Sequence, residues 1–335
     1  MILRNLVWGA LLICGLSVTG GLARAQSGAE DPAVSYRAAW PNTDFSQVSI
    51  DFDEVLSGGP PRDGIPPIDN PRFQPVAASE LEATVPVLSV EIDGDARAYP
   101  ISVLMWHEVV NDVIADQPVV VAYCPLCNSG AAFFRTIEGT IHDFGTSGLL
   151  RHSDLIMYDR QTDSWWQQFT GNAIVGDLNG TELVWIPIRM EAFERFAARH
   201  PDGQVLIPNN VRERDYGENP YVGYDSTNWP FLYRGEFDEA ISPLARVVAV
   251  GPEAWSLDLI REAGQIEVGE LVITWVPGQN SGLDRRRISR GEDVGNVTVQ
   301  RRVGEGLQDE VYMVPFAFAF VAFHPNGILH TSLDN

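Results

Sequence analysis

The chain contains no lysine, and all 23 of its basic residues are arginine. That absence removes Schiff-base chemistry, phosphate-loop lysines and lysine general bases from the functions open to it. Positive charge is scarce altogether, because 45 Asp and Glu residues leave a net charge of −22. A field of that sign repels phosphate backbones, so nucleic acid is not an expected partner, and the acidity reads as a solvated surface. Cysteine is sparse too, with three in 335 residues. A disulfide-built scaffold is therefore excluded, and 45% apolar content supplies a core without one. Beyond the N-terminal run, no stretch approaches the ~20 apolar residues of a membrane-spanning helix.

What is present begins with a leader. Arg4, the apolar run LVWGALLICGLSVTGGLA and the small-x-small ARA before Gln26 match a secretory signal over residues 1–25, cleaved near Ala25. The chain is expected in the periplasm or outside the cell. Cys14 would leave with the leader; a lipoprotein would keep it, but Ile13 stands where a small residue is expected. Residues 26–80 are proline-rich and predict an extended arm.

Self-comparison shows an internal repeat. VVAYCPLCNSGAAFFRTIEG at 120–139 lies without a gap on VITWVPGQNSGLDRRRISRG at 272–291, and VEIDGDARAYPI resembles VAVGPEAWSLDL. Two copies of one unit are expected, each opening with a turn-linked pair of strands. In the first, Val103, Trp106, His107, Val110, Val113 and Ile114 recur at helical spacing, which predicts a helix with His107 on its apolar face. QPVVVAY then reads as a buried strand ending at the cysteines, MEAFERFAARH as a second helix, and YMVPFAFAFVAFHP as a buried strand. The pattern predicts an α+β fold of two pseudo-repeated, mainly antiparallel units packed as one body. The first spans 81–203 with the Cys-x-x-Cys site, the second, degenerate, 244–335, and an ordered loop at 204–243 joins them.

The two cysteines that remain, Cys124 and Cys127, allow three chemistries. In an oxidising compartment they could form a disulfide. As a redox couple they need a thiolate of lowered pKa, usually at a helix N-terminus, and NSGAAFF is a poor helix start. As metal ligands they need further donors, because two thiolates leave copper or zinc coordinatively short. His107, His142 and His152 are the candidates, with His200, His324 and His330 behind them. The second copy carries Val276 and Gln279 at the cysteine positions, so the turn itself does not require thiols. Metal binding is preferred, copper before zinc, with a metal-delivery or thiol-exchange protein as the expected partner. Ser147, His152 and Asp154 could be imagined as a hydrolytic triad, but no Gly-x-Ser-x-Gly elbow accompanies them.

WHEVVND, YCPLCNSGAAF, FGTSGLLRHSDLIMYDRQTDSWWQQFTG and ERDYGENPYVGYD together resemble the exported bacterial proteins grouped as domain of unknown function 3179. The resemblance runs from about residue 80 to the C-terminus and implies positions rather than an activity. Trp106, His107, Glu108 and Asn111 match its helix motif, Cys124 and Cys127 its cysteine motif, and Ser147, Leu150, Ser153 and Asp154 the loop that follows. The family's usual residue after the second cysteine is glycine, where this chain has Asn128.

Overall fold

A computed structural model describes residues 33–332; the leader expected over residues 1–25 and the extreme C-terminus lie outside them. The chain is mostly β, and its five larger sheets are the blades of a β-propeller. This corrects the expectation of two α+β units. The helices are single short links of four to seven residues, too short to form a layer, and each apolar strand run is buried between sheets instead.

The blades can be followed round the ring by the contacts that join them. The first holds the strands Val55–Ser57, Phe144–Arg151, Asp154–Asp159, Trp165–Gln167 and Ala173–Val175. Asn111 links it to the second by donating to Phe144 O (2.8 Å) and accepting from Phe144 N (2.9 Å). The second blade contains Val109–Ile114, Gln117–Cys124, Ser129–Phe134 and Val184–Trp185. Ile186 N donates to Ala132 O where the chain leaves it for the third, built on the hairpin Pro86–Ile92 and Asp95–Pro100. Ala192 N then meets Asn296 Oδ1 (2.7 Å) in the fourth, Gln265–Val268 to Gly306–Asp309. The helix Leu257–Ala263 connects that blade to the fifth, Val247–Val250, Glu253–Ser256 and Ile328–His330. Phe323 closes the ring by stacking on Phe169 of the first, centroids 4.7 Å apart.

The sequence repeat corresponds to a repeated element order rather than to two separate bodies. Hairpin, helix, hairpin runs from Pro86 to Cys124 and again from Val247 to Val276. Both helices Phe193–Arg199 and Ala317–Phe323 end at His-Pro-Asp/Asn-Gly and feed a strand that pairs in parallel with the first hairpin of its copy. The copies part after the shared Asn-Ser-Gly. The return strand begins at Ser129 in the first, but only at Asn296, beyond a loop, in the second.

Three local expectations also change. The helix expected to continue to Ile114 stops at His107, because Glu108 takes a left-handed backbone (φ 59°) and the β-branched residues beyond it form the strand Val109–Ile114. MEAFERFAARH is helical only from Phe193, its start belonging to the strand Ile188–Ala192. The aromatic run expected as a strand is instead the helix Ala317–Phe323. The described part of the proline-rich segment packs on the propeller and adds the outer strands Val55–Ser57 and Arg72–Pro75 to two blades. Gly148 (φ 74°) lets this segment come close: a Cβ there would stand 2.0 Å from Pro60 O.

Candidate metal centre

Two tight turns from neighbouring blades meet at the cysteines. The apolar strand Gln117–Cys124 is halted by Pro125, and the chain reverses so that Cys124 pairs in register with Ser129. The reversal puts Asn128 in the left-handed region (φ 51°). Asparagine tolerates that region better than other residues with a Cβ, and glycine best of all. Asn128 is fixed by donating to Val314 O (2.8 Å) and accepting from the Tyr123 hydroxyl (3.1 Å).

The facing turn joins Phe144–Arg151 to Asp154–Asp159 through His152 and Ser153, both left-handed (φ 51° and 64°). Such a turn ordinarily takes Asn-Gly, and two residues with side chains there store strain of about 1–3 kcal/mol each. Its product is a placement. Ser153 O lies 3.4 Å from Cys127 Sγ and 3.8 Å from Cys124 Sγ. One oxygen of Asp154 and both sulfurs fall within 4.8 Å of one another, all buried.

Asp154 is held by Gln167 Nε2 (2.7 Å), Phe169 N (3.0 Å) and Ser129 Oγ (3.2 Å). Burial nevertheless pushes its carboxyl up to about 6. Burial raises Cys124, and raises Cys127 well above the ordinary thiol value with its neighbour Cys124 adding to the effect. Glu108, also buried, is pushed up to about 8 by burial and then by the charge of Asp154. Among the described residues no ion pair reaches any of these four groups.

The histidines expected as ligands make their contacts elsewhere. His107 has one ring nitrogen 2.7 Å from Pro66 O and the other 2.7 Å from the Tyr216 hydroxyl. His142 pairs with buried Asp159 (3.0 Å), and His152 faces Glu54 (3.6 Å). Among the described residues it is Asp154, not a histidine, that groups with the two thiols. Asn111 ties two blades together and Ser147 bonds Ile156 O within a strand bulge, so both act on the scaffold. Ser129 and Gln167, which donate to Asp154, and Gln168, which accepts from the Ser129 hydroxyl, were not singled out from sequence. The signal for the glutamines was the pair of polar residues following Trp165 and Trp166 in WWQQF, with all four buried.

The chain belongs to the family described as protein of unknown function (DUF3179), whose model matches residues 62–327. No curated protein and no solved structure matches it. Among the described residues no helix is long and apolar enough to cross a membrane.

Proposed function

We propose that this is an exported protein that binds one thiophilic metal ion through Cys124, Cys127 and Asp154. One observation carries the reading: two thiols and two carboxyls are buried together and, among the described residues, no arginine pairs with them. Such a cluster either keeps its protons or takes up a cation, and a metal supplies the missing positive charge while displacing thiol protons. The donor set fits. Two sulfurs and one carboxylate oxygen, all within 4.8 Å, are compatible with bonds of ~2.0–2.3 Å to a single zinc ion.

A carboxylate as third donor is harder than imidazole, which moves zinc ahead of copper. Three protein donors leave the fourth tetrahedral position for water or a ligand, and a metal there would act as a Lewis acid. The redox alternative is the weaker reading. An exchange couple needs an accessible thiol of lowered pKa, whereas both sulfurs are buried and both thiols are shifted upward.

Zinc titration of the chelator-treated protein against a chromophoric competitor tests the proposal. One ion per chain and release of about two protons at neutral pH are expected, with Asp154→Asn binding more weakly. Equal affinity in Asp154→Asn, or no uptake by fully reduced wild type, would sink it.

A further inference from the structure

Cys124 and Cys127 are at most 1% exposed, so whatever reaches their sulfurs has to pass a segment that moves. The 204–243 loop supplies one. Its residues 226–232 run between two fixed points. Before them, buried Tyr224 packs on Phe316 (centroids 6.0 Å apart), and Asp225 is held by Arg246 (3.0 Å) and the Ser281 hydroxyl (2.6 Å). After them, buried Tyr233 packs on Phe318 (5.0 Å). Between these anchors Ser226, Thr227, Asn228, Trp229 and Phe231 are exposed.

The stretch is tied to the thiol site at one residue. Phe231 O accepts from the Ser153 hydroxyl (2.5 Å), in the strained turn that faces the sulfurs. Phe231 N donates to the Tyr224 hydroxyl (3.3 Å), which itself donates to Leu126 O (3.0 Å) between the two cysteines. Next to this double tie, Leu232 takes a left-handed backbone (φ 54°) that leucine seldom adopts. Thr227 and Phe231 also wall a cavity of about 390 Å³ together with Leu126 and Leu155, which precede and follow the donors Cys127 and Asp154. With open space against it, solvent outside it and strain at one end, the stretch breaks few contacts when it lifts, which is the character of a segment that opens locally.

We propose that residues 226–232 form a strap, latched at Phe231 and hinged at Leu232, whose opening admits the ion to Cys124 and Cys127. The proposal rests on the metal reading for what enters, and the strap itself is read out on the thiols.

Reaction of the reduced, metal-free full chain with dithiobis(nitrobenzoate) tests it. Ser153→Ala and Tyr224→Phe each remove one tie to Phe231, and each should speed native thiol modification about fivefold, the worth of one hydrogen bond. The double variant should be faster than either, and the rates should not change with urea well below the unfolding midpoint, as local opening requires. Thr227→Val loses bonds to Tyr224 O and Trp229 O within the strap but keeps both ties, and should react at the wild-type rate. Amide exchange over 226–232 should quicken in Ser153→Ala by a similar factor, a readout that thiol acidity does not touch. Wild-type rates in both latch variants, equal acceleration in Thr227→Val, or rates that climb with urea from the lowest concentrations would overturn the proposal. Zinc uptake with unaccelerated thiols sinks the strap alone, and accelerated thiols without zinc uptake sink the metal reading alone.

Discussion

The backbone oxygen of Ser153 stands 3.4 Å from the sulfur of Cys127, so a strained hairpin in one blade faces the cysteine turn of the next. The thiols are thereby closed in by backbone on one side and by Asp154 on another. Their chemistry follows from this enclosure more than from the Cys-Pro-x-Cys spacing.

Thiol reactivity is the first consequence. Buried thiols with raised pKa expose little thiolate at neutral pH. Native, metal-free protein is expected to react with iodoacetamide at pH 7.5 at least about tenfold more slowly than the same protein in denaturant, where both thiols should titrate. Rapid modification of a single thiol in the native state would instead favour the redox reading.

The second concerns pH. Glu108 rises from 4.5 in an unperturbed setting to about 8 in the folded chain, so the folded state binds its proton more tightly than the unfolded state. Its contribution to stability is therefore full below about pH 4.5 and is lost as the pH rises through about 8. At roughly 1.4 kcal/mol per unit, the loss amounts to a few kcal/mol. Metal-free wild type should lose more stability between pH 6 and pH 9 than Glu108→Gln does, as read by urea midpoints. Parallel pH profiles for the two proteins would show that Glu108 is not held protonated by the fold.

Asn128 offers a test of the turn. Asn128→Ala loses two buried hydrogen bonds and keeps a Cβ in the left-handed region, so it should cost about 2 kcal/mol or more. Asn128→Gly loses the same bonds but relieves the backbone, and should cost less than half as much. If glycine proves as damaging as alanine in denaturant melts, the backbone conformation is not what selects this position.

The cysteine strand and its turn were legible in the sequence because QPVVVAYC is a continuous apolar run stopped by proline, a signal that depends on neighbours alone. The repeat was legible in part: its hairpins showed, while the parallel strands Gln204–Ile207 and Ile328–His330 that complete each copy lie far along the chain. The helix that ends at His107 was overextended because Val110, Val113 and Ile114 fit a 3.6-residue period by coincidence, and the conformational break at Glu108 leaves no trace in periodicity. His107 looked like a ligand because its partners, Pro66 O and the Tyr216 hydroxyl, are 41 and 109 residues away. The propeller itself was hidden for the same reason, since the contacts that order its blades, such as Asn111 with Phe144 and Phe169 with Phe323, are all distant in sequence.

Replacing both cysteines separates the thiols from the scaffold. Val276 ends the corresponding strand of the second copy and Gln279 follows in the turn, both without sulfur, so Cys124→Ala/Cys127→Ala should fold, with a loss of about 1–3 kcal/mol from the deleted buried atoms. A double mutant that cannot fold would make the cysteines structural.

The central claim is tested most directly by elemental analysis, with thiol counting, of wild type and this double mutant purified from the exported fraction without added metal. The account predicts close to one zinc, or failing that copper, per wild-type chain with both thiols reduced, and none in the double mutant. A wild-type protein without metal whose two cysteines are joined in a disulfide, or a double mutant that keeps its metal, would contradict it.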